Sequence, residues 1–250
     1  MKLTVSGIEF SYNSHPILEK ITFRVHTGEM LGVLGMNGAG KSTLLKCMNR
    51  ILEFKAGSVL LDNEDLNRLS RRQVARRLGY VPQRHPGDRL TVYEAVLLGR
   101  RPRMGWTPSR ADYQCVESIL ERMEISHLAS RPLECLSGGE AQKAVIARAL
   151  AQEPGALLLD EPTSSLDLKN QMDVMGQIRR IVTANGLSAV VSIHDLNLAL
   201  RFADRFLFLK DHRVFAAAGR EQVTAEVIEA VYGIPVDIHD IGGRRIVIPR

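Results

Sequence analysis

The sequence lacks the features that mark disulfide-rich, zinc-binding and membrane-spanning proteins. Its three cysteines, Cys47, Cys115 and Cys135, are widely spaced and odd in number, so they fit neither a zinc pattern nor a disulfide framework. We therefore expect a reducing compartment. No apolar run approaches the roughly 18 residues of a spanning helix, and the first residues alternate apolar and polar side chains, unlike a signal peptide. These absences predict a chain that does not itself cross a membrane.

Aromatic residues are also scarce, at 5% of the sequence, which bears on how its basic clusters are interpreted. The clustered arginines are Arg71, Arg72, Arg76, Arg77, Arg100, Arg101, Arg103, Arg244 and Arg245. Because no aromatic platform interleaves with them, we expect no nucleic-acid partner. The net charge of +5 leaves two interpretations open: a solvated basic surface, or attraction to anionic lipid near a membrane.

The 250 residues are enough for one large domain or two modest ones, and folding at this size buries roughly 75% of the unfolded chain's surface. Alternating side chains predict two N-terminal strands, Leu3–Tyr12 and Lys20–Val25, joined by a turn at Asn13–Pro16. These strands indicate an N-terminal antiparallel β subdomain. Strand-like and helix-like segments alternate further along, which predicts an α/β fold with a mainly parallel sheet covered on both faces.

Apolar runs and helical spacing predict the remaining elements. The predicted strands are Met30–Leu34, Ser58–Leu61, Gly79–Pro82, Ala156–Leu159 and Ser188–Ile193, and the predicted helices are Lys41–Ile51, Thr91–Leu98, Ala111–Met123, Glu140–Gln152, Lys169–Ala184 and Leu196–Phe202. From Phe206, two hairpin-like strand pairs surround a predicted helix at Ala225–Tyr232. We predict a single domain, with a core of residues 1–83 and 133–250 and a helical subdomain inserted at residues 84–132.

A glycine-rich loop lies between the first predicted buried strand and the first predicted helix. Gly35–Ser42, here called the phosphate loop, fits the pattern G-x-x-x-x-G-K-[ST]. Glycines let the backbone curl so that N–H groups point at phosphate oxygens, and the helix N-terminus adds its dipole. Lys41 would contact the β- and γ-phosphates, and the Ser42 hydroxyl would ligate Mg²⁺. The loop thus predicts a P-loop NTPase core, whose candidate nucleotide-binding residues are Gly35, Asn37, Gly38, Ala39, Gly40, Lys41, Ser42 and Thr43.

Two adjacent carboxylates, Asp160 and Glu161, follow the apolar run Leu157–Leu159. This places them at the C-terminal end of a buried strand, where ligands bind in open α/β sheets. Asp160 is the candidate residue for holding Mg²⁺, and Glu161 the candidate for orienting and polarising the attacking water. Adjacent acids at a strand end can instead cap a helix, but their combination with the phosphate loop favours the catalytic interpretation.

A second candidate anion site lies at Leu136–Glu140, here called the signature segment. Ser137 is a natural helix N-cap, and Gly138 and Gly139 allow the backbone to approach an anion closely. The segment could simply cap the Ala-rich helix that follows it. Because one nucleotide rarely needs two phosphate sites, a second site makes sense if it closes over the nucleotide of another copy of the chain.

The ordered set of motifs resembles the ATP-binding subunit of ABC transporters over essentially the whole chain. The resemblance implies ATP as the nucleotide and ATP hydrolysis as the activity. It implies that Tyr12 stacks on adenine, that Gln83 senses Mg²⁺ and the γ-phosphate, and that His194 is a switch on the γ-phosphate. Asp167 would lie in a loop crossing a dimer interface, and the signature segment would contact the γ-phosphate in a partner subunit. The candidate catalytic residues are then Lys41, Gln83, Glu161 and His194, and the candidate metal-binding residues are Ser42, Gln83 and Asp160.

Two positions depart from the family pattern. Glu140 stands where glutamine is the commoner fifth residue of the signature, and Met36 replaces the usual proline of the phosphate loop. Neither position supplies the main phosphate contacts, so we still expect activity. A carboxylate in the first turn of a helix favours the helix dipole but opposes a phosphate. We therefore expect Glu140 to point away from the nucleotide.

Within the family, Val96–Pro102, Ser109–Asp112 and Val231–Ile234 resemble importers for iron–siderophore, haem and cobalamin. This implies a homodimer that sandwiches two ATP molecules, transmembrane permease subunits, an external substrate-binding protein acting indirectly, and a peripheral position on the cytoplasmic face of the membrane. The alternatives are a soluble ABC-type ATPase not coupled to transport, and the ATPase of an importer or exporter for a different substrate. A nucleotide-gated scaffold without hydrolysis is disfavoured by the presence of both Glu161 and His194.

Overall fold

The alternating segments of the sequence form three sheets and the helices around them in a computed structural model, which describes residues 2–83 and 89–250. The strands are β1 (Leu3–Tyr12), β2 (His15–Val25), β3 (Met30–Leu34), β4 (Ala56–Leu61), β5 (Glu64–Asp65), β6 (Leu78–Val81), β7 (Ala156–Asp160), β8 (Ser188–Ser192), β9 (Arg205–Lys210), β10 (Arg213–Gly219), β11 (Val236–Ile241) and β12 (Arg244–Pro249). The helices are α1 (Lys41–Met48), α2 (Arg71–Arg77), α3 (Val92–Gly99), α4 (Arg110–Arg122), α5 (Gly138–Leu150), α6 (Leu168–Ala184), α7 (Leu196–Phe202) and α8 (Ala225–Tyr232).

The central sheet has the strand order β10-β9-β3-β8-β7-β6. Its strands from β9 to β6 run parallel, and β10 is an antiparallel edge strand. Every residue of β3, β7 and β8 is buried, which explains why these strands are continuous apolar runs rather than alternating ones. The predicted mainly parallel sheet is confirmed, and β3, β8 and β7 bring their carboxyl ends to one edge.

The other two sheets are antiparallel. The N-terminal sheet has the order β2-β1-β4-β5, which confirms the predicted antiparallel subdomain, and β11 pairs with β12 in a C-terminal hairpin. One buried cluster packs α1 and the N-terminal sheet against one face of the central sheet. The other cluster packs α3 to α7 against the opposite face. Helices and a second sheet thus cover both faces and leave the carboxyl-end edge for a site.

Several predicted boundaries shift for local reasons. Helix α1 ends at Met48 rather than Ile51, because Arg50 adopts a left-handed backbone with φ of 54°. Strand β2 begins at His15, since the turn needs only Asn13 and Ser14, both with positive φ as in a two-residue hairpin turn. The tail from β9 to β12 matches the prediction of two strand pairs around a helix at Ala225–Tyr232.

The basic cluster at residues 71–77 forms a helix that the sequence patterns did not predict. Only Val74 of α2 is buried, so the helix carries almost no apolar periodicity. Its N-terminus is a capping box in which Ser70 and Gln73 bond each other's backbone N–H groups. Arg72 and Arg76 both donate to the carbonyl of Pro102, in the link between α3 and α4. Two arginines of this basic cluster therefore hydrogen-bond a backbone carbonyl instead of being surrounded by water alone.

Arg100 corrects the interpretation of a solvated basic surface. It is buried, and its guanidinium donates to Asp112 Oδ1 at 2.9 Å and to the Ala151 carbonyl at 2.8 Å. These bonds tie the end of α3 to the start of α4 and the end of α5.

The predicted start of the helical subdomain, Arg84, lies outside the described residues, and so does His85, for which the sequence predicts no role in the site. The division into core and helical subdomain stays a prediction. No helix in the described part of the chain is both long and apolar enough to span a bilayer.

Candidate active site

The phosphate loop joins β3 to α1 through three glycines with positive φ, Gly35, Gly38 and Gly40. A Cβ at Gly35 would lie 2.4 Å from the Leu209 carbonyl oxygen, and one at Gly40 would lie 2.9 Å from Leu18 Cδ2. Both positions therefore require glycine for space as well as for backbone conformation. The loop leaves Asn37 exposed and Ala39 and Thr43 half-buried beside the helix N-terminus, as an anion cradle needs.

Lys41 is the first residue of α1, and its ammonium group folds under the loop. Its Nζ donates to the carbonyl oxygens of Gly35 at 2.7 Å and of Met36 at 3.0 Å. Burial lowers the pKa of Lys41 from its ordinary value, while the nearby charges of Glu161 and Asp160 oppose that shift. The ammonium is thus a desolvated cation held within reach of the loop, where a polyphosphate would compensate its charge.

The candidate metal-binding residues form a set of hard oxygen donors. Ser42 Oγ donates to Asp160 Oδ1 at 2.8 Å, which brings the end of β7 to the first turn of α1. Hydroxyl and carboxylate oxygens at this spacing fit Mg²⁺, which prefers such ligands and keeps several waters. Gln83 does not join this pair directly: its Nε2 donates to Glu161 Oε2 at 2.6 Å.

Glu161 is contacted by two of the other predicted catalytic residues, Gln83 and His194. Besides the bond from Gln83, its Oε1 contacts His194 Nε2, and the carboxylate is buried while His194 is half-exposed. The backbone of Glu161 has a φ of 49°, a conformation uncommon for a non-glycine residue and often stored at functional sites. Two residues from segments distant in sequence, Gln83 and His194, therefore direct their polar atoms at one carboxylate.

Three neighbours of this site were not predicted to have roles. Ser192 Oγ donates to Asp160 Oδ1 and accepts from the Glu161 N–H, and the Tyr80 hydroxyl lies 3.5 Å from Asp160 Oδ2. The Tyr232 hydroxyl accepts the Gly35 N–H at 3.2 Å, which links α8 to the phosphate loop. Burial raises the pKa values of Tyr80 and Tyr232. For Ser192 and Tyr80 the available signal was a polar residue within an apolar strand, which does not reveal its partner, whereas Tyr232 lies in α8 and carried no such signal.

The signature segment begins α5 and has its own neighbours. Ser137 caps the helix, and a Cβ at Gly139 would lie 2.6 Å from Asn170 Oδ1, while one at Gly138 would lie 3.3 Å from Leu166 Cδ2. Asp167 caps α6 by accepting from the Asn170 N–H. The signature segment and Asp167 thus form one cluster, whereas Gly35 and Gly40 pack against Leu209, Ile17 and Leu18.

The orientation expected for Glu140 is corrected by its hydrogen bonds. Its Oε2 accepts from Ser137 Oγ at 2.7 Å and from the Ser137 N–H at 2.8 Å, and these bonds lower the pKa of Glu140. The carboxylate therefore turns back over the helix N-terminus instead of pointing away from the predicted phosphate contact. The reason is local: Ser137 and Glu140 form a capping box, which satisfies two backbone N–H groups.

Tyr12 lies at the end of β1 and is half-exposed. Its ring packs edge-on against Phe10, with the ring centroids 4.7 Å apart. The contact supports the ring, and its exposure suits stacking on a planar group. The position agrees with the role that the resemblance implied, which itself stays a prediction.

Comparisons with known proteins agree with this site. The family model described as ABC transporter matches residues 18–164. An uncharacterized ABC transporter ATP-binding protein of Methanocaldococcus jannaschii is 49% identical and covers 100% of this chain and 98% of its own length. The ferric enterobactin transport ATP-binding protein FepC of Escherichia coli is 36% identical, covering 99% and 94%. The phosphonates import ATP-binding protein PhnC of Alcaligenes faecalis is also 36% identical, covering 92% and 88%.

Solved structures share the fold and extend the comparison to assemblies. An inward-facing ABC transporter, described as of metal-chelate type, superposes with a TM-score of 0.86 at 29% identity, covering 99% of this chain and 96% of that chain. A dimeric ATP-binding cassette bound to ADP and Pi superposes with a TM-score of 0.75 at 27% identity, covering 87% of this chain and 98% of that chain. The cassettes of this family work as dimers with transmembrane permease partners. The phosphate loop and acid pair found here therefore have a known context: the chain belongs to the ABC transporter family, as a nucleotide-binding, ATP-hydrolysing subunit of the importer type.

Proposed function

We propose that this chain powers the import of a metal chelate of the iron–siderophore, haem or cobalamin type. The observation that carries the proposal is the similarity over nearly the whole chain to a ferric enterobactin transport subunit. The TM-score of 0.86 to a transporter described as of metal-chelate type supports the same cargo class. The phosphonate importer subunit, at equal identity, makes phosphonate the second candidate cargo.

We assign the chemistry of ATP hydrolysis to the cluster around the phosphate loop. Lys41 would neutralise charge on the β- and γ-phosphates, and Ser42 with Asp160 would hold Mg²⁺, which would offset further phosphate charge. Glu161 orients and polarises the attacking water as a general base. Gln83 and His194 keep the Glu161 carboxylate in place, and both can turn their polar atoms to the γ-phosphate when ATP is bound.

We further assign a complete site to two copies of the chain. The signature segment and Asp167 form one cluster and the phosphate loop another, each with different neighbours. Two copies arranged head to tail would place each signature segment over the partner's nucleotide, with Tyr12 stacked on the adenine. The dimeric cassette bound to ADP and Pi supports such an arrangement.

The permease subunits would dock on the surface formed by α3 and its link to α4. A cavity of about 420 Å³ is lined by residues of α2, α3, α5 and β6, and its lining includes Pro82, next to Gln83, and Ala95 of α3. Leu98 is 43% exposed and Trp106 is fully exposed on this surface. Docking here would place the chain on the cytoplasmic face of the membrane, and an external binding protein would deliver the cargo to the permease.

Cysteine crosslinking tests the docking surface. In a background with Cys115 and Cys135 replaced by serine, we expect cysteines at Leu98 and Trp106 to crosslink to a permease loop. Cysteines at Phe215 and Ile248, similarly exposed in the tail, serve as matched controls. Crosslinks from the two tail positions alone would show that the docking face is elsewhere.

An uptake experiment tests the cargo. In cells lacking this chain, wild-type protein should restore accumulation of one radiolabelled cargo among a ferric siderophore, haem, cobalamin and methylphosphonate. Glu161→Gln protein should restore none, because transport is driven by hydrolysis. Recovery of methylphosphonate uptake alone would replace the metal-chelate assignment, and recovery of no uptake with an active ATPase would favour a soluble ATPase.

Glu140→Gln tests whether the signature carboxylate opposes the partner's nucleotide. Glutamine can keep the capping box with Ser137 but removes the charge. Because two charges about 4 Å apart in water interact by about 1 kcal/mol, we expect up to about a five-fold lower ATP concentration for half-maximal dimerisation. The measurement is light scattering in a Glu161→Gln background, with Glu134→Gln, an exposed neighbour, as the control. Equal ATP dependence of the two variants would show that Glu140 acts only as a cap.

A further inference from the structure

Ser192 lies in the strand between β7, which ends in Asp160, and β3, which leads into the phosphate loop. It ends β8, and its register pairs it with Asp160 of β7 on one side and Val33 of β3 on the other. It is completely buried, with 0% of its surface exposed. A polar side chain so enclosed must find its hydrogen-bond partners within the protein.

Both partners of the Ser192 hydroxyl belong to the acid pair. Its Oγ donates to Asp160 Oδ1 at 2.9 Å and accepts from the Glu161 N–H at 2.8 Å. A hydroxyl has one proton, so donation to the carboxylate fixes where that proton points and leaves a lone pair for the backbone N–H. One side chain therefore holds the carboxylate of one acid and the backbone of the next.

The Glu161 backbone needs such support. Its φ of 49° lies in a region that non-glycine residues seldom adopt, and a conformation of this kind persists only where the surroundings determine it. The contacts from Gln83 and His194 reach only the end of the side chain, and both residues are assigned contacts to the γ-phosphate. The bond from Ser192 acts on the backbone, where the direction of the side chain is set.

Two serine hydroxyls hold the Asp160 carboxylate. Ser42 and Ser192 both donate to the same oxygen, Oδ1. Ser42 is also the candidate ligand for Mg²⁺, so its hydroxyl serves two partners. Ser192 has no access to solvent, and its hydroxyl donates to Asp160.

We propose that Ser192 is a positioning residue for ATP hydrolysis, whose hydroxyl aligns the Asp160 carboxylate and the Glu161 backbone with the nucleotide. This inference rests on the roles assigned above to Asp160 and Glu161. Groups that orient metal-binding carboxylates typically contribute about 10- to 100-fold to metal affinity or activity. Ser192 acts through the acid pair and does not itself touch the reacting atoms.

Ser192→Ala tests the inference, with Ser188→Ala as a matched control. Ser188 lies on the same strand, is equally buried, and donates to the His26 carbonyl at 3.0 Å, so both changes remove one buried hydroxyl from β8. We expect Ser192→Ala to lower kcat by about 10- to 100-fold with the KM for ATP within about two-fold of the wild type. Ser188→Ala should keep the wild-type kcat while losing comparable thermal stability.

A binding measurement separates positioning from general loss of structure. In a Glu161→Gln background, we expect Ser192→Ala to weaken Mn²⁺ binding to the ATP-loaded protein, detected by electron paramagnetic resonance, while Ser188→Ala leaves it unchanged. Ser192→Thr retains the hydroxyl and should recover part of both the activity and the Mn²⁺ affinity, so it tests the inference even where the alanine variant folds poorly.

The outcomes distinguish the role of Ser192 from the roles of Asp160 and Glu161 on which it rests. Wild-type turnover in the Glu161→Gln variant would remove the acid pair from its role, whatever Ser192 does. An inactive Glu161→Gln variant with equal kcat and Mn²⁺ affinity in the Ser192→Ala and Ser188→Ala proteins would overturn only the role of Ser192. A Ser192→Thr variant no better than Ser192→Ala in either measurement would also overturn it, since the hydroxyl would then be irrelevant.

Discussion

Lys41→Ala protein should neither bind ATP tightly nor hydrolyse it at a measurable rate. The wild-type ammonium sits beneath the phosphate loop, held by the carbonyl oxygens of Gly35 and Met36. Only 5% of Lys41 is exposed, and this burial lowers its pKa, so its attraction for a polyphosphate is little screened by water. Loss of one preorganised group that stabilises transition-state charge costs about 10²- to 10³-fold in rate, and the lost binding adds to that.

The measurements are phosphate release and binding of a fluorescent ATP analogue to the purified protein. Lys46→Ala is the matched control, because Lys46 lies five residues later on the same helix, in its last turn, where a cation favours the helix dipole. The control should keep wild-type binding and turnover. Normal turnover in the Lys41→Ala protein, with its melting temperature unchanged, would show that the loop at 35–42 is not the phosphate site.

Those features of the molecule that depend on neighbouring residues were predictable from the sequence. The phosphate loop has its glycines at the positions where a Cβ would strike Leu209 or Leu18, so the motif and its geometry have one cause. The apolar runs that predicted β3, β7 and β8 are the fully buried strands. The capping box at Ser137 was also local, and applying the S-x-x-E rule would have predicted where Glu140 points.

Features that depend on strand register were not predictable in the same way. Ser192 contacts the acid pair only because β8 lies beside β7 with Ser192 opposite Asp160. Arg100 looked like part of a basic surface, and only the packing of α3, α4 and α5 shows that it is buried against Asp112. The helix α2 has one buried residue, so its sequence carries a cap but no periodicity. In each case the missing information was which distant segment lies alongside.

Glu161→Gln should separate nucleotide binding from hydrolysis. The substitution keeps the size of the side chain and one of its carbonyl-type oxygens, so the contact from Gln83 Nε2 can persist. It removes the charge that polarises the attacking water, and loss of general-base help is worth about 10²- to 10⁴-fold in rate. Lys41, Ser42 and Asp160 are untouched, so ATP binding should remain. Glu117→Gln, an exposed carboxylate on α4, is the control and should retain full activity.

The same variant should also stabilise the two-chain assembly. Removing the Glu161 carboxylate relieves its repulsion of the γ-phosphate, so the closed dimer should persist once it forms. Size-exclusion chromatography with light scattering should show a dimer with ATP and Mg²⁺ and a monomer without them. Adding Ser137→Arg should abolish that dimer by crowding the contact between the signature segment and the partner's phosphate. Wild-type hydrolysis by Glu161→Gln protein would remove Glu161 from its assigned role, and a variant that binds ATP but never dimerises, even beside its permease, would contradict the two-chain site.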